Sequence, residues 1–242
     1  MQAIVSFIYG ADDLEKTNSI DLDDRAPFLE FHPRGQPPLL DGIAAQAPPR
    51  ILKTHLPYKF MTKQTNLMQK KTKVICVIRN PKDTLVSYYH FYRMNGYFGC
   101  FQGSWNEFFE LFKHNQIGFG TWFDMTLGWW EQRENLNMLT LKYEDMKKDL
   151  KGAVEKVAAF CGKELSSDQV DKIAEYTDFK QMKKNPMTNQ TEVPDLHEDI
   201  SPFMRKGQVG DWQNYFTDEQ NAYFDDLYKK RMEGTGLTVD FL

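Results

Sequence analysis

The 242-residue sequence is poor in cysteine and has no long hydrophobic run. Its three cysteines, Cys76, Cys100 and Cys161, are widely spaced and form no C-x-x-C pair. This spacing predicts neither a disulfide framework nor a zinc site, and it is typical of reduced thiols in a cytoplasmic protein. The apolar stretch at residues 1–9 is too short to cross a bilayer and follows no basic segment, so we expect no membrane association.

The sequence also lacks a surplus of basic residues. With 30 Lys and Arg against 34 Asp and Glu, its net charge is −4, which argues against a nucleic-acid partner. Neither a G-x-x-x-x-G-K-[ST] loop nor a G-x-G-x-x-G turn occurs, which disfavours an ordinary P-loop kinase and a dinucleotide-binding protein. Basic residues can still gather in one cleft, so an anionic small ligand remains compatible with this charge.

No internal repeat or linker interrupts the chain, and we expect one domain over residues 1–242. Short apolar runs alternate with helical patterns, which predicts an α/β fold with a mainly parallel central sheet and helices on both faces. Val74–Ile78 is an unbroken, mainly β-branched run, as in a strand covered on both sides. Arg50–Lys53 and Met138–Tyr143 are further strand candidates.

Helix signals fill the gaps between these strands. Pro81 occupies the first-turn position that proline tolerates best. Ser167 and Thr217 are candidate N-caps, the second in a capping box with Gln220. Residues 179–212 are rich in Asn, Pro and Lys and are predicted to form a long loop, either a functional lid or a mobile surface excursion.

The first candidate cluster is Lys53-Thr54-His55-Leu56-Pro57, at the end of a strand candidate. In open α/β sheets ligands bind beyond the carboxyl ends of strands. Lys53 and His55 are two residues apart and project to the same side of an extended chain. An imidazole accepts a proton near neutral pH, and an ammonium stabilises negative charge on a leaving oxygen. The alternative is a surface histidine without a role.

Two further clusters carry positive charge. Arg79-Asn80-Pro81-Lys82-Asp83 joins a strand to a helix, where backbone N–H groups and Arg79 suit a phosphate, and Ser87 adds a hydroxyl one turn later. Phe203-Met204-Arg205-Lys206-Gly207 offers two cations and exposed amides to an anion. A solvated arginine and a charged loop tip are the alternatives. Together, the three clusters predict group transfer from a nucleotide.

These segments resemble the cytosolic sulfotransferases, in particular the branch that acts on phenols and small alcohols. The similarity is collinear from about Ile4 to the C-terminus and includes the three clusters, Val86–Phe91, Tyr143–Lys147, Met182–Met187 and Gly210–Trp212.

The resemblance implies a donor, 3′-phosphoadenosine 5′-phosphosulfate, a small-molecule acceptor with a hydroxyl or amine, and no metal. It implies His55 as the general base with Lys53 beside it. The implied binding residues are Arg79, Ser87, Arg205, Lys206 and Gly207 at the 3′-phosphate; Tyr143, Thr177, Phe179, Met182, Phe203 and Met204 around the adenosine; and Phe28, Phe31 and Phe91 along the acceptor pocket.

The sequence departs from the family in two places. Ile4, Val5 and Ile8 form a helix face with no cap before it, where the family has a first strand and a Lys-x-Gly-Thr-Thr-Trp phosphosulfate loop. We expect that the sulfotransferase domain is N-terminally incomplete, that this strand and loop are missing, and that donor binding and turnover are weak.

The second departure is in the family's dimer motif. Of the four matching positions, Gln213, Thr217, Asp218 and Ala222, only Thr217 agrees with the motif. A homodimer through that contact is therefore doubtful. Because of the missing loop, a catalytically silent protein that binds a nucleotide or another chain is the alternative to an enzyme.

Overall fold

The computed structural model describes residues 1–30, 39–65, 72–191 and 193–242. They form two compact units, and each unit is built from two separate stretches of the chain. Unit 1 comprises Met1–Leu56 and Asp149–Gln190, and unit 2 comprises Pro57–Lys148 and Thr191–Leu242. The single domain expected from the sequence stays a prediction.

The elements alternate between helices and strands as an α/β fold requires. In chain order they are α1 (Gln2–Tyr9), α2 (Leu14–Asn18), α3 (Leu22–Arg25), α4 (Leu39–Ala45), α5 (Tyr58–Thr65), β1 (Val74–Ile78), α6 (Pro81–Met94), α7 (Trp105–Lys113), α8 (Trp122–Trp130), β2 (Met138–Lys142), α9 (Tyr143–Lys148), α10 (Leu150–Cys161), α11 (Ser167–Tyr176), α12 (Phe179–Lys184), α13 (Pro186–Asn189) and α14 (Asp218–Met232), with 3₁₀ turns at Gly96–Phe98 and Asp211–Asn214.

The sheet of unit 2 confirms two of the predicted strands. β1 and β2 pair in parallel, from Val74 opposite Met138 to Ile78 opposite Lys142. Parallel strands end at the same edge, so the residues that follow β1 and β2 are neighbours there. Helices flank this sheet, as the predicted fold class requires.

An aromatic core holds the helices of unit 2. Phe108, Phe109, Phe123 and Phe224 are almost completely buried and come from α7, α8 and α14. Burying a side chain of this size contributes about 1.5–3 kcal/mol to the free energy of unfolding. The predicted capping box at Thr217 begins α14, and the buried Phe224 of this helix belongs to the same core.

In unit 1, α1 packs against α10 and α11. Its Ile4, Phe7 and Ile8 are buried, as are Val157 of α10 and Ile173 of α11. No side chain caps the start of α1, as expected. A helix whose inner face is this apolar is stabilised mainly by packing and less by its own ends.

Three sequence expectations need correction. Arg50–Lys53 is not a strand: among the described residues only Lys53 pairs, in a parallel bridge with Phe28. The ladder stops there because the next bond would need an N–H from Pro27, which has none. Residues 179–212 are not one loop, since α12 and α13 occupy the first part. The N-cap of α11 is Ser166, one position before the predicted one.

Within the described ranges no helix is both long enough and apolar enough to cross a membrane.

Candidate active site

Three residues of unit 1 that the sequence singled out lie together. The bridge between Phe28 and Lys53 sets two extended segments side by side, with the Leu29 N–H donating to the Lys53 carbonyl at 2.8 Å. The Lys53 Nζ lies 4.6 Å from the centroid of the Phe28 ring. The His55 ring meets the same phenyl ring edge-on, with centroids 4.8 Å apart. Lys53 and His55 therefore project to the same side, as their spacing predicts.

A carboxylate that the sequence reasoning missed holds this segment in place. Glu30 Oε1 accepts hydrogen bonds from Thr54 Oγ1 at 2.5 Å and from the His55 N–H at 2.6 Å. Thr54 Oγ1 in turn accepts from the Leu56 N–H at 3.0 Å. Bonds to a charged acceptor are roughly twice as strong as neutral ones. Glu30 lies 25 positions before His55, so no local motif signals this contact.

The His55 side chain reaches solvent, yet protein atoms crowd it. This partial burial and the charge of Lys53 lower the pKa of His55 from 6.5 to about 4. Burial also lowers the pKa of Lys53, while the charges of Asp23 and Glu30 oppose that change. At neutral pH the imidazole is uncharged, and this is the form that accepts a proton.

Unit 1 also contains three residues predicted near the adenosine. Thr177 caps the C-terminus of α11, is buried, and donates through Oγ1 to the Ile173 carbonyl at 2.7 Å. Phe179 opens α12, and in the same helix the carbonyl of Met182 accepts from Thr188 Oγ1 at 2.9 Å. The hydroxyl proton of Thr177 is therefore used inside the unit.

In unit 2, Arg79 directly follows β1. Its Nη2 donates to the Gln208 carbonyl at 2.9 Å and lies 3.9 Å from Asp83 Oδ2. Its guanidinium carbon is 4.7 Å from the centroid of the Tyr143 ring. Burial raises the pKa of Tyr143, and the charge of Arg79 opposes this. Arg79 is thus held at the carboxyl edge of the parallel sheet, where ligands of open α/β sheets bind.

The start of α6 does not offer the amides that the sequence suggested. Asn80 Oδ1 accepts from the N–H groups of Lys82 and Asp83 at 2.8 and 3.3 Å, while Glu144 Oε1 accepts from the Asn80 N–H at 2.8 Å. The expectation that these amides bind phosphate is wrong, because the Asn80 cap occupies them. Lys82 is buried as well and pairs with Asp225 at 2.5 Å.

Further along α6, Ser87 is exposed in the second turn. Phe91, one turn later, stacks on Tyr88 at 6.1 Å and meets Phe203 edge-on at 6.4 Å between ring centroids. A residue predicted for the acceptor pocket therefore lies beside one predicted near the adenosine. Phe31, also predicted for that pocket, lies outside the described residues.

The two cations of the third cluster share one buried carboxylate. Arg205 Nη2 donates to Asp211 Oδ2 at 2.5 Å, and Lys206 Nζ donates to Asp211 Oδ1 at 2.6 Å. Burial acts to raise the pKa of Asp211, but hydrogen bonds from Lys206, Asn214 and Arg205 outweigh it and lower the pKa to about 2. Asp211 is therefore ionised throughout the physiological range.

Asp83 connects the second and third clusters. Its fully buried carboxylate accepts from the Gly210 N–H at 2.8 Å and from the Trp212 N–H at 2.9 Å. Gly207 and Gly210 have φ angles of 62° and 84°, which glycine adopts without strain. The segment can therefore turn at both glycines. Met204, which precedes these turns, is half-buried. The roles of Asp83 and Asp211 were not predicted from the sequence, although both residues lie inside the motifs quoted above.

Comparisons with known proteins identify the family to which this chain belongs. The family model described as "Sulfotransferase domain" matches residues 1–236. Sulfotransferase 1C2 of Rattus norvegicus is 46% identical over 239 residues, which cover 98% of this chain and 80% of the relative.

Two solved structures resemble the chain as well. Retinol dehydratase in a complex with retinol and PAP has a TM-score of 0.85 at 27% identity, covering 99% of this chain and 79% of the other. Mouse sulfotransferase SULT7A1 complexed with PAP has a TM-score of 0.70 at 35% identity, covering 81% and 70% respectively. By sequence and by fold, the chain belongs to the cytosolic sulfotransferase family, enzymes that transfer a sulfonate group from 3′-phosphoadenosine 5′-phosphosulfate to small molecules.

Proposed function

We propose that His55 is the general base of this sulfotransferase and that Lys53 stabilises the charge that develops on the leaving phosphate oxygen. The observation that carries the proposal is the contact of both side chains with Phe28, together with the lowered pKa that leaves the His55 imidazole uncharged. A base must be unprotonated at the working pH, and His55 meets this condition.

In the proposed reaction, His55 takes the proton of the acceptor hydroxyl while the acceptor oxygen forms a bond to the donor's sulfur. The bond between sulfur and the bridging phosphate oxygen breaks, and its electron pair stays on that oxygen. The product nucleotide is adenosine 3′,5′-bisphosphate. Positioning and charge stabilisation dominate transfers of this kind, which need no covalent intermediate on the protein.

The positively charged residues of unit 2 are proposed to hold the 3′-phosphate of the donor. Their partly exposed cations, fixed by carboxylates and a carbonyl, support this role, since arginine pairs well with phosphate. The 3′-phosphate is assigned to Arg79, Ser87, Arg205, Lys206 and Gly207. The adenosine is assigned to Tyr143, Thr177, Phe179, Met182, Phe203 and Met204.

The acceptor is proposed to be an apolar small molecule with a hydroxyl or amine, such as a phenol or steroid, in contact with Phe28, Phe31 and Phe91. Structures of retinol dehydratase, 26–27% identical to this chain, contain retinol or androsterone, which are apolar alcohols of this class. We further propose a cytoplasmic location and a reaction without a metal ion, and we leave dimerisation as a prediction.

The test compares His55→Ala with Arg79→Ala in two assays: transfer of radiolabelled sulfonate to a simple phenol, and calorimetric binding of adenosine 3′,5′-bisphosphate. His55→Ala should reduce transfer by about 10²–10⁴-fold, the usual contribution of a positioned base, with nucleotide binding nearly unchanged. Arg79→Ala should weaken nucleotide binding itself. Equal losses of binding in the two variants would contradict these assignments.

The same assays address the alternative to an enzyme, a catalytically silent protein that binds a nucleotide or another chain. Family membership does not favour it, because the matched relatives are sulfotransferases. Binding of the nucleotide without any transfer to phenols, steroids or amines would support this alternative over the enzyme.

A further inference from the structure

Asp211 stands apart from the exposed acids of the chain. Its side chain is 3% exposed, yet it accepts from Arg205, Lys206 and Asn214. The pair of Lys230 and Asp226 is typical of the exposed kind, with side chains 71% and 63% exposed. Exposed pairs contribute little to folding, whereas a buried carboxylate needs all of its partners.

The two cations that bond Asp211 differ in exposure. The Arg205 side chain is 16% exposed and the Lys206 side chain 41% exposed. A guanidinium has five N–H groups and an ammonium has three, and the Asp211 bonds use one of each. Asp211 therefore fixes each of the two charged groups at one point.

The backbone on both sides of Asp211 is itself held by hydrogen bonds. Asp83 accepts from the N–H groups of Gly210 and Trp212, the residues on either side of Asp211. The Tyr215 ring, 5.9 Å from the Arg205 guanidinium carbon, adds a second contact to that cation. A long cationic side chain loses conformational freedom when it binds a ligand, and a site that has already ordered it binds more tightly.

We infer that Asp211 is a positioning residue of the donor site, which holds Arg205 and Lys206 side by side so that their charged groups converge on the 3′-phosphate. The inference rests on the proposed function, which assigns these two cations to that phosphate. Asp211 acts through them and does not touch the donor.

The experiment measures binding of two probes that differ only in the phosphate concerned, adenosine 3′,5′-bisphosphate and adenosine 5′-monophosphate. Asp211→Asn should weaken binding of the bisphosphate by about tenfold or more, since bonds to charged groups contribute on this scale, and should leave the monophosphate within about twofold. Asp168→Asn, at an exposed acid that pairs with Lys172, is the matched control and should change neither. Melting temperatures verify that each variant is folded.

Two further variants distinguish the positioning role of Asp211 from a purely structural role. In the Arg205→Ala Lys206→Ala background, Asp211→Asn should cause no additional loss of bisphosphate affinity, because the cations through which it acts are gone. Asp211→Glu keeps the charge and should recover part of the lost affinity, and it serves as the test if Asp211→Asn does not fold.

The outcomes distinguish the inference from its premise. Unchanged bisphosphate affinity in Arg205→Ala Lys206→Ala would overturn the assignment of these cations, and the inference with it. A loss in that variant without any loss in folded Asp211→Asn would overturn the inference alone. Equal weakening of both probes by Asp211→Asn would also overturn it, because the effect would then not concern the 3′-phosphate.

Discussion

The two units use carboxylates in opposite ways. In unit 1, Glu30 bonds the backbone N–H of His55, and the imidazole itself stays uncharged beside Lys53. In unit 2, Asp211 bonds the charged groups of Arg205 and Lys206 directly. The proposed base, an imidazole, has to remain unprotonated, and its acidic neighbour bonds the main chain. The proposed anion site needs ordered cations, and its acidic neighbour bonds their side chains.

Among the tests of this comparison, Lys53→Met is expected to have the largest effect. Methionine retains the apolar contact with Phe28 but removes the ammonium beside His55. We expect kcat to fall about 100-fold, as when one charge-stabilising group is removed from a transition state, with nearly unchanged affinity for adenosine 3′,5′-bisphosphate. Steady-state kinetics with a phenol acceptor and calorimetry measure the two quantities.

The control is Lys163→Met, which removes an exposed lysine lying 5.1 Å from the Tyr9 ring in the same unit. It should leave kcat unchanged. A loss of nucleotide affinity in Lys53→Met as large as its loss of kcat would mean that this cation serves binding, and the contrast between the units would fail.

A smaller effect is expected from Asp83→Asn, which tests the acidic scaffold of unit 2. Asparagine can accept from only one of the N–H groups of Gly210 and Trp212 and leaves the other without its acceptor. An unsatisfied buried donor costs about 1–3 kcal/mol, so the melting temperature should fall and bisphosphate affinity should drop several-fold. Thermal denaturation, chemical denaturation and calorimetry measure these changes.

Asp226→Asn, at an exposed acid of α14, should change stability by less than about 0.5 kcal/mol. If Asp83→Asn behaves like this control, Asp83 does not hold the turn that carries Asp211, and the scaffold argument is wrong.

Local patterns were sufficient for much of this molecule. The β-branched run at Val74–Ile78, the proline at the start of α6 and the capping box at Thr217 depend on neighbours in sequence, so β1, α6 and α14 could be predicted. The strand expected at Arg50–Lys53 failed because its ladder depends on Pro27, a partner that no local pattern identifies.

The candidate site divides in the same way. His55, Arg79 and Arg205 stand in motifs with recognisable chemistry, and the sequence named them. Glu30 and Asp83 act on residues 25 and 127 positions away, and single-sequence reasoning cannot supply contacts of that range. The use of the first α6 amides by Asn80 was also missed, because the sequence alone does not tell whether a cap or a ligand takes them.

The smallest expected effect is the change of kcat/KM with pH, which tests the environment of His55 in unit 1. Burial and Lys53 lower the pKa of His55 to about 4, so the base stays unprotonated as pH falls from 7.5 to 5.5 and is lost only as pH falls through about 4. The value of kcat/KM, which reports groups of the free enzyme, should therefore change less than about twofold between pH 7.5 and 5.5. Lys53→Met removes one cause of the lowered pKa, so its acid limb should move to higher pH, towards the ordinary value of 6.5. An acid limb near pH 6.5 in the unaltered protein, with the fold intact by circular dichroism, would mean that the surroundings of His55 do not keep it neutral in the way the proposed base requires.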